Sequence, residues 1–206
     1  MTDGSQLNEV ERDALREVAN IGAGHAATAL SQMTDRTIMI NVPEVNVREL
    51  DEVAELLGPP DTVVVAVLMH MMGDLTGRTA VILPHAAAQT LCDLLLRRPK
   101  GTTSDFGAME ESSIKETGNI LTSAYLTALS DFMGMMLVPS VPSMVTDYVG
   151  AVLTAAHLNF ARERDVVFCV DTAFRVEGAS EVLQGEFLLL PDSVSLSAIF
   201  DAIRLA

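Results

Sequence analysis

Two groups of side chains in this 206-residue chain share a spacing that suits chemistry. The first is Asp13, Glu17 and Asn20, followed at a distance by Pro43; the second is Ser112, Glu116 and Asn119, followed by Pro142. Steps of four and three residues along a helix put the first three side chains of each group within about one sixth of the circumference. A Glu carboxylate accepts hydrogen bonds and pairs with a lysine. An Asn carboxamide both donates and accepts, so it can hold a water in one orientation. No His or Cys lies close in sequence to complete a nucleophilic pair. Asp, Glu and Asn on one helix face leave most of a metal's coordination shell empty. The chemistry suggested is positioning of a water against a substrate that brings its own electrophile and metal. One such stripe alone is also what the solvated face of an ordinary amphipathic helix presents.

The second copy changes the weight of the first. EVANI at Glu17 recurs as ETGNI at Glu116, TALS at Thr28–Ser31 recurs at Thr127–Ser130, and Val42–Pro43 recurs as Val141–Pro142, each offset by 99 residues. A constant offset points to duplication of one structural unit. Glu and Asn are kept identical between the copies, whereas the neighbouring pair Arg16 and Lys115 agrees only in type.

The elements that must carry these residues follow from hydrophobic periodicity. Residues 7–33 have apolar positions at helical spacing, among them Val10, Ala14, Val18, Ile21 and Leu30, and predict a long helix. A strand is expected over 37–47 and a short helix in DEVAELLGPP, stopped by Gly58-Pro59-Pro60. Strands over 62–69 and 77–83 flank a turn at Gly73-Asp74, and a helix over 85–97 closes the unit. The second copy predicts a long helix at 106–133, a strand at 136–148, a short helix at 149–162, strands at 166–176 and 185–190, and a closing helix at 193–204. Pro84 and Pro191 end equivalent strands, and 97–107 is the linker. Hairpin-like connections favour antiparallel pairing. The expected fold is α/β of the α+β type: an internally duplicated, pseudo-two-fold arrangement with an antiparallel sheet flanked by helices, two of them long and motif-bearing. The whole chain, 1–206, is expected to form one domain from repeats at about 7–100 and 105–206, because halves this small and poor in aromatics bury too little to stand alone.

The first long helix also holds Gly22 and Gly24, each costing roughly 1 kcal/mol against Ala in a helix interior. Close approach of another helix or of the sheet is the expected reason. The run lacks the spacing of a phosphate-binding loop, and no strand precedes it. His25, His70 and His85 read as packed or surface residues. The methionine clusters at 69–72 and 133–136 read as core filler.

Composition narrows the function classes. Asp and Glu number 28 against 13 Lys and Arg, a formal net charge of -15, which disfavours nucleic acid and anionic membranes as partners. Cys92 and Cys169 sit in apolar runs and read as buried free thiols rather than a disulfide or metal site. The N-terminal residues show no basic region followed by an apolar stretch, and no apolar run reaches the roughly 20 residues of a membrane span. The expectation is a cytoplasmic protein.

EVANIGAGHAATALSQM and ETGNILTSAYLTALSDFMG resemble the two signature helices of the CheC/CheX/FliY phosphatase family. That family's pattern is Asp or Ser, three residues, Glu, two residues, Asn, twenty-two residues, Pro; Asp13–Glu17–Asn20–Pro43 and Ser112–Glu116–Asn119–Pro142 both satisfy it. One departure is His25, where the family's small-residue run has Asn. The resemblance, nearest to CheC, implies a chemotaxis signalling phosphatase that hydrolyses the aspartyl phosphate of the response regulator CheY. In that scheme Glu17 or Glu116 pairs with the active-site lysine of CheY and Asn20 or Asn119 holds the attacking water, while Asp13, Pro43, Ser112 and Pro142 support the sites. The chain needs no cofactor of its own, since Mg²⁺ resides on CheY. The resemblance also implies CheD, a receptor deamidase, as a partner, contacting about Tyr148–Asn159; the apolar residues there could equally face the core. The alternative is a non-catalytic or weakly catalytic adaptor for CheD or the flagellar switch.

Overall fold

The computed structural model describes residues 7–42, 44–157, 166–177 and 182–205. The two long helices, α1 (Glu9–Thr34) and α4 (Ala108–Met133), keep the 99-residue offset at both ends. Local signals set their limits. Asn8 caps α1 through a reciprocal pair of bonds: the Asn8 side chain accepts from the Glu11 N–H at 3.0 Å, and the Glu11 carboxylate accepts from the Asn8 N–H at 2.7 Å. Asp35 (φ 55°) and Gly134 (φ 64°) close the two helices in the left-handed region.

Eight strands among the described residues form one sheet. They are β1 (Ile38–Asn41), β2 (Val45–Glu49), β3 (Val63–Gly73), β4 (Gly77–Pro84), β5 (Leu137–Pro139), β6 (Ser143–Tyr148), β7 (Val166–Val176) and β8 (Val182–Pro191). The order is β1-β7-β8-β4-β3-β5, with β2 also on β7 and β6 also on β3. The expected antiparallel pairing is found at every ladder. The edges are exchanged: β1 and β2 of the first copy pair with β7 of the second, and β5 and β6 of the second pair with β3 of the first. The copies meet where β4 pairs with β8.

The single strands expected over 37–47 and 136–148 are each broken in two. On one edge the register runs from Asn41↔Ala173 to Val45↔Val170, so three residues span an interval that β7 covers with two. On the other it runs from Pro139↔Met71 to Ser143↔Leu68, again three against two. These are bulges on edge strands, the places in a sheet that tolerate a proline with no N–H to give. The motif proline position falls inside the interval in both copies.

Strand alternation divides the core. Val65, Val67, Phe168, Val170, Phe187 and Leu189 face α1, α4, α3 (His85–Leu95) and α6 (Ser193–Leu205). Val64, Ala66, Val167, Cys169, Leu188 and Leu190 face α2 (Leu50–Leu57) and α5 (Val149–His157). Residues 158–162 of the expected second short helix lie outside the described residues. Two residues expected on the packed side of α1 are not there: Val10 is 70% and Ile21 44% exposed. At 100° per residue they lie about 140–160° from the fully buried Ala26. The methionines divide as well: Met69 and Met71 are buried, whereas Met72 and Met136 are exposed. Among the described residues no helix is long and apolar enough to cross a membrane.

Candidate active site

The helices present both stripes outward. Asp13, Glu17 and Asn20 are exposed on α1; Ser112 and Glu116 are exposed and Asn119 is half-buried on α4. Glycines set how closely these helices sit on their neighbours. A Cβ at Gly22 would fall 2.6 Å from the Tyr125 ring, so this glycine lets α1 press against α4. Tyr125 in turn stacks on Phe187 of the sheet with ring centroids 4.6 Å apart, and burial pushes its hydroxyl up to about 12. A Cβ at Gly118 would fall 2.6 Å from Val67, so α4 rests on β3 one residue before Asn119. Periodicity did not single out Gly118, although ETGNI contains it. Gly24 differs from the expectation: among the described residues nothing lies within 4 Å of its Cβ position, and no close approach of theirs explains it.

The stripe residues hold back from the surrounding structure. Among the described residues, Glu17, Asn20, Glu116 and Asn119 make no side-chain hydrogen bond or ion pair. The adjacent charges are taken up locally: Arg16 donates to Asp13 at 2.6 Å, and Lys115 donates to Glu111 at 2.9 Å. Each stripe therefore offers a free carboxylate and a free carboxamide to an incoming molecule. Pro142 is half-buried between β5 and β6. The bulge before it is pinned by Ser140, whose N–H donates to the His70 carbonyl and whose hydroxyl accepts from the His70 N–H, both at 2.9 Å. Pro43 lies outside the described residues.

The cysteines and histidines add no nucleophile to the stripes. Cys92 and Cys169 are buried, free, and pushed up to about 12, mainly by burial, so neither supplies a thiolate near neutral pH. His25 and His70 are exposed, and His85 packs edge-on to Phe106 with centroids 5.3 Å apart. In the region proposed for CheD, Val149, Val152 and Leu153 face the core, leaving Tyr148, Ala151, Thr154 and Ala155 outward.

Two charged clusters went unseen in sequence. Asp93, in the apolar run TLCDLLL, is buried and binds the linker. It accepts from the N–H groups of Gly101 (2.6 Å), Thr102 (3.0 Å) and Thr103 (2.9 Å) and from the Thr103 hydroxyl (2.7 Å). Burial pushes its carboxyl up, but these bonds outweigh that and hold it below the usual range. Asp171 and Glu186 stand opposite each other on β7 and β8. Burial first, then the Asp171 carboxylate opposite, push Glu186 up to about 8 against the opposing pull of Arg48.

Comparison with known proteins bears on the same stripes. The model of the CheC-like family matches residues 10–47, which hold the first stripe and its proline. The chain is 35% identical over 199 residues to CheY-P phosphatase CheC of Bacillus subtilis, spanning 96% of this chain and 95% of that protein. Its fold matches Thermotoga maritima FliY with a TM-score of 0.79 at 20% identity, covering 97% and 98% of the two chains. The FliM middle domain of H. pylori matches with a TM-score of 0.65 at 11% identity, covering 95% and 99%.

Proposed function

Because the chain belongs to the CheC-like family, we propose that it is a phosphatase of phosphorylated CheY, acting in the cytoplasm as a single unit built from two interlocked repeats. The observation that carries this is the pair of uncommitted Glu and Asn side chains, kept identical and outward-facing on two helices 99 residues apart.

The scheme asks little of the protein beyond position. Glu17 or Glu116 pairs with the lysine beside the aspartyl phosphate and docks the helix. Asn20 or Asn119 then reaches the phosphoryl group, and its carboxamide orients a water in line. The water oxygen bonds to phosphorus as the bond from phosphorus to the aspartyl oxygen breaks. The electron pair leaves with the Asp carboxylate, and the proton is shed to the phosphate or solvent. Mg²⁺ enters with CheY and neutralises the phosphoryl oxygens. Phosphoryl transfer responds mainly to positioning and electrostatics. An acceleration of about 10²-fold needs roughly 2.7 kcal/mol, within reach of one oriented water and one ion pair. Asp13, Ser112, Pro142 and Pro43 support the sites rather than react.

The test is phosphate release from phosphorylated CheY. Asn20→Ala with Asn119→Ala should return the rate to that of CheY alone, while each single variant retains the other site. A double variant as fast as the parent sinks the assignment. CheD is the second proposed partner, through Tyr148 and the outward residues of α5. A chain that binds no purified CheD removes that part without touching the first.

A further inference from the structure

Gly24 is an expense the fold does not explain. It lies in the interior of α1, where glycine costs roughly 1 kcal/mol against Ala. It is exposed, and its Cβ position is open to at least 4 Å, so no neighbour among the described residues forbids a side chain. No turn or helix end calls for it, since α1 continues ten residues farther to Thr34. The Thr28 hydroxyl donates to the Gly24 carbonyl at 2.9 Å, a backbone bond that any residue at 24 would accept.

Its position along and around the helix is specific. At 100° per residue, Gly24 falls about 40° from Asn20, inside the arc bounded by Asn20 and Glu17, and about 6 Å farther along the axis. It therefore continues the stripe by one turn, with the exposed Ile21 on its flank. The corresponding residue on α4 is Ser123, which carries a Cβ and is half-buried. The bare step belongs to the first stripe alone.

We propose that Gly24 is a positioning residue of the first site: the missing side chain seats the main chain of CheY beside its phosphoaspartate, so that Asn20, one turn away, reaches the phosphoryl group. This rests on the phosphatase assignment above. A Cβ there would hold the partner off by about the length of a C–C bond. A misplacement of about 1 Å can cost up to 10²-fold in rate.

The experiment uses the full chain carrying Asn119→Ala, so that only the first site reports. Into it go Gly24→Ala and Gly24→Leu, with phosphate release from phosphorylated CheY and thermal unfolding measured on each. Both substitutions should raise the melting temperature, because both residues favour helix over glycine. Both should lower kcat/KM, about tenfold for Ala and more for Leu, with a rise in KM carrying much of the loss. A damaged fold cannot produce higher stability with lower efficiency. Gly24→Ala within twofold of its parent overturns the proposal while leaving the phosphatase assignment standing. If Asn119→Ala alone already removes all release, the first site does not act and the proposal falls with it.

Discussion

Val42 and Val141 hold the same place in two copies of one sequence, each just before the motif proline, yet Val42 is 7% exposed and Val141 is 87% exposed. The comparison extends inward. β3 and β7 are both eleven residues long, and the pair Leu68↔Ala80 on the first hairpin corresponds to Asp171↔Glu186 on the second. Near the end of the closing helices, Asp93 is buried among linker donors, whereas Asp201 is exposed. The two halves share backbone path, the limits of the long helices and the edge bulges. They do not share what each position is packed against. The stripes depend on the first set of features, and stability depends on the second.

That division can be broken by paired substitutions. The widest gap should be at the acidic residues. Asp93→Ala strands four linker donors and should cost about 3 kcal/mol, whereas Asp201→Ala should stay within about 0.5 kcal/mol. Denaturant unfolding of the two variants measures it, and equal costs would mean that the linker is not held by Asp93. Since binding lowers the Asp93 carboxyl, its contribution is present above the ordinary Asp range and is lost as pH falls through that carboxyl's own value.

The valines should differ less. Val42→Ala removes buried methyl groups and should cost about 2 kcal/mol, while Val141→Ala should be silent within about 0.5 kcal/mol. A loss at Val141 comparable to that at Val42 would show the two edges to be packed alike in solution.

A third effect should appear only on titration. Glu186 is raised in the folded chain, so folding favours its protonated form. Its share of stability is full in acid and drains as pH climbs from the ordinary Glu range through about 8. The groups facing it are Asp171 and Arg48, with Cys169 two pairs along on the same face. Glu186→Gln should flatten the fall in melting temperature across that window. An unchanged slope would assign the fall to other groups.

Much of the arrangement was legible in the residues because it is local. The 99-residue offset gave both long helices, and their caps lie in the flanking Asn8, Glu11 and Gly134. The strand at Val166–Val176 matches its apolar run end to end. The stripes were legible because helical spacing is itself geometry. What escaped is non-local. The exchange of edge strands pairs residues 117 to 138 positions apart on one edge and 64 to 85 apart on the other, and no local window of sequence contains both partners. The split at the proline intervals needed the register on the partner strand. Val10 and Ile21 passed as core because apolarity was visible and direction was not. Gly22 and Gly24 read alike until Tyr125 was seen to close on one and nothing on the other.

The exchanged edges bear on how the chain is made. During synthesis β1 emerges early, but β7, its one ladder partner among the described residues, is translated about 130 residues later. At 5–20 residues per second that is a wait of roughly 7 to 26 seconds. Until β6 and then β8 follow, the nascent first copy also carries unpaired edges on the two sides of its β3–β4 hairpin. Such edges can template pairing with other chains. A ribosome that stalls after the linker would release an adhesive fragment rather than half an enzyme.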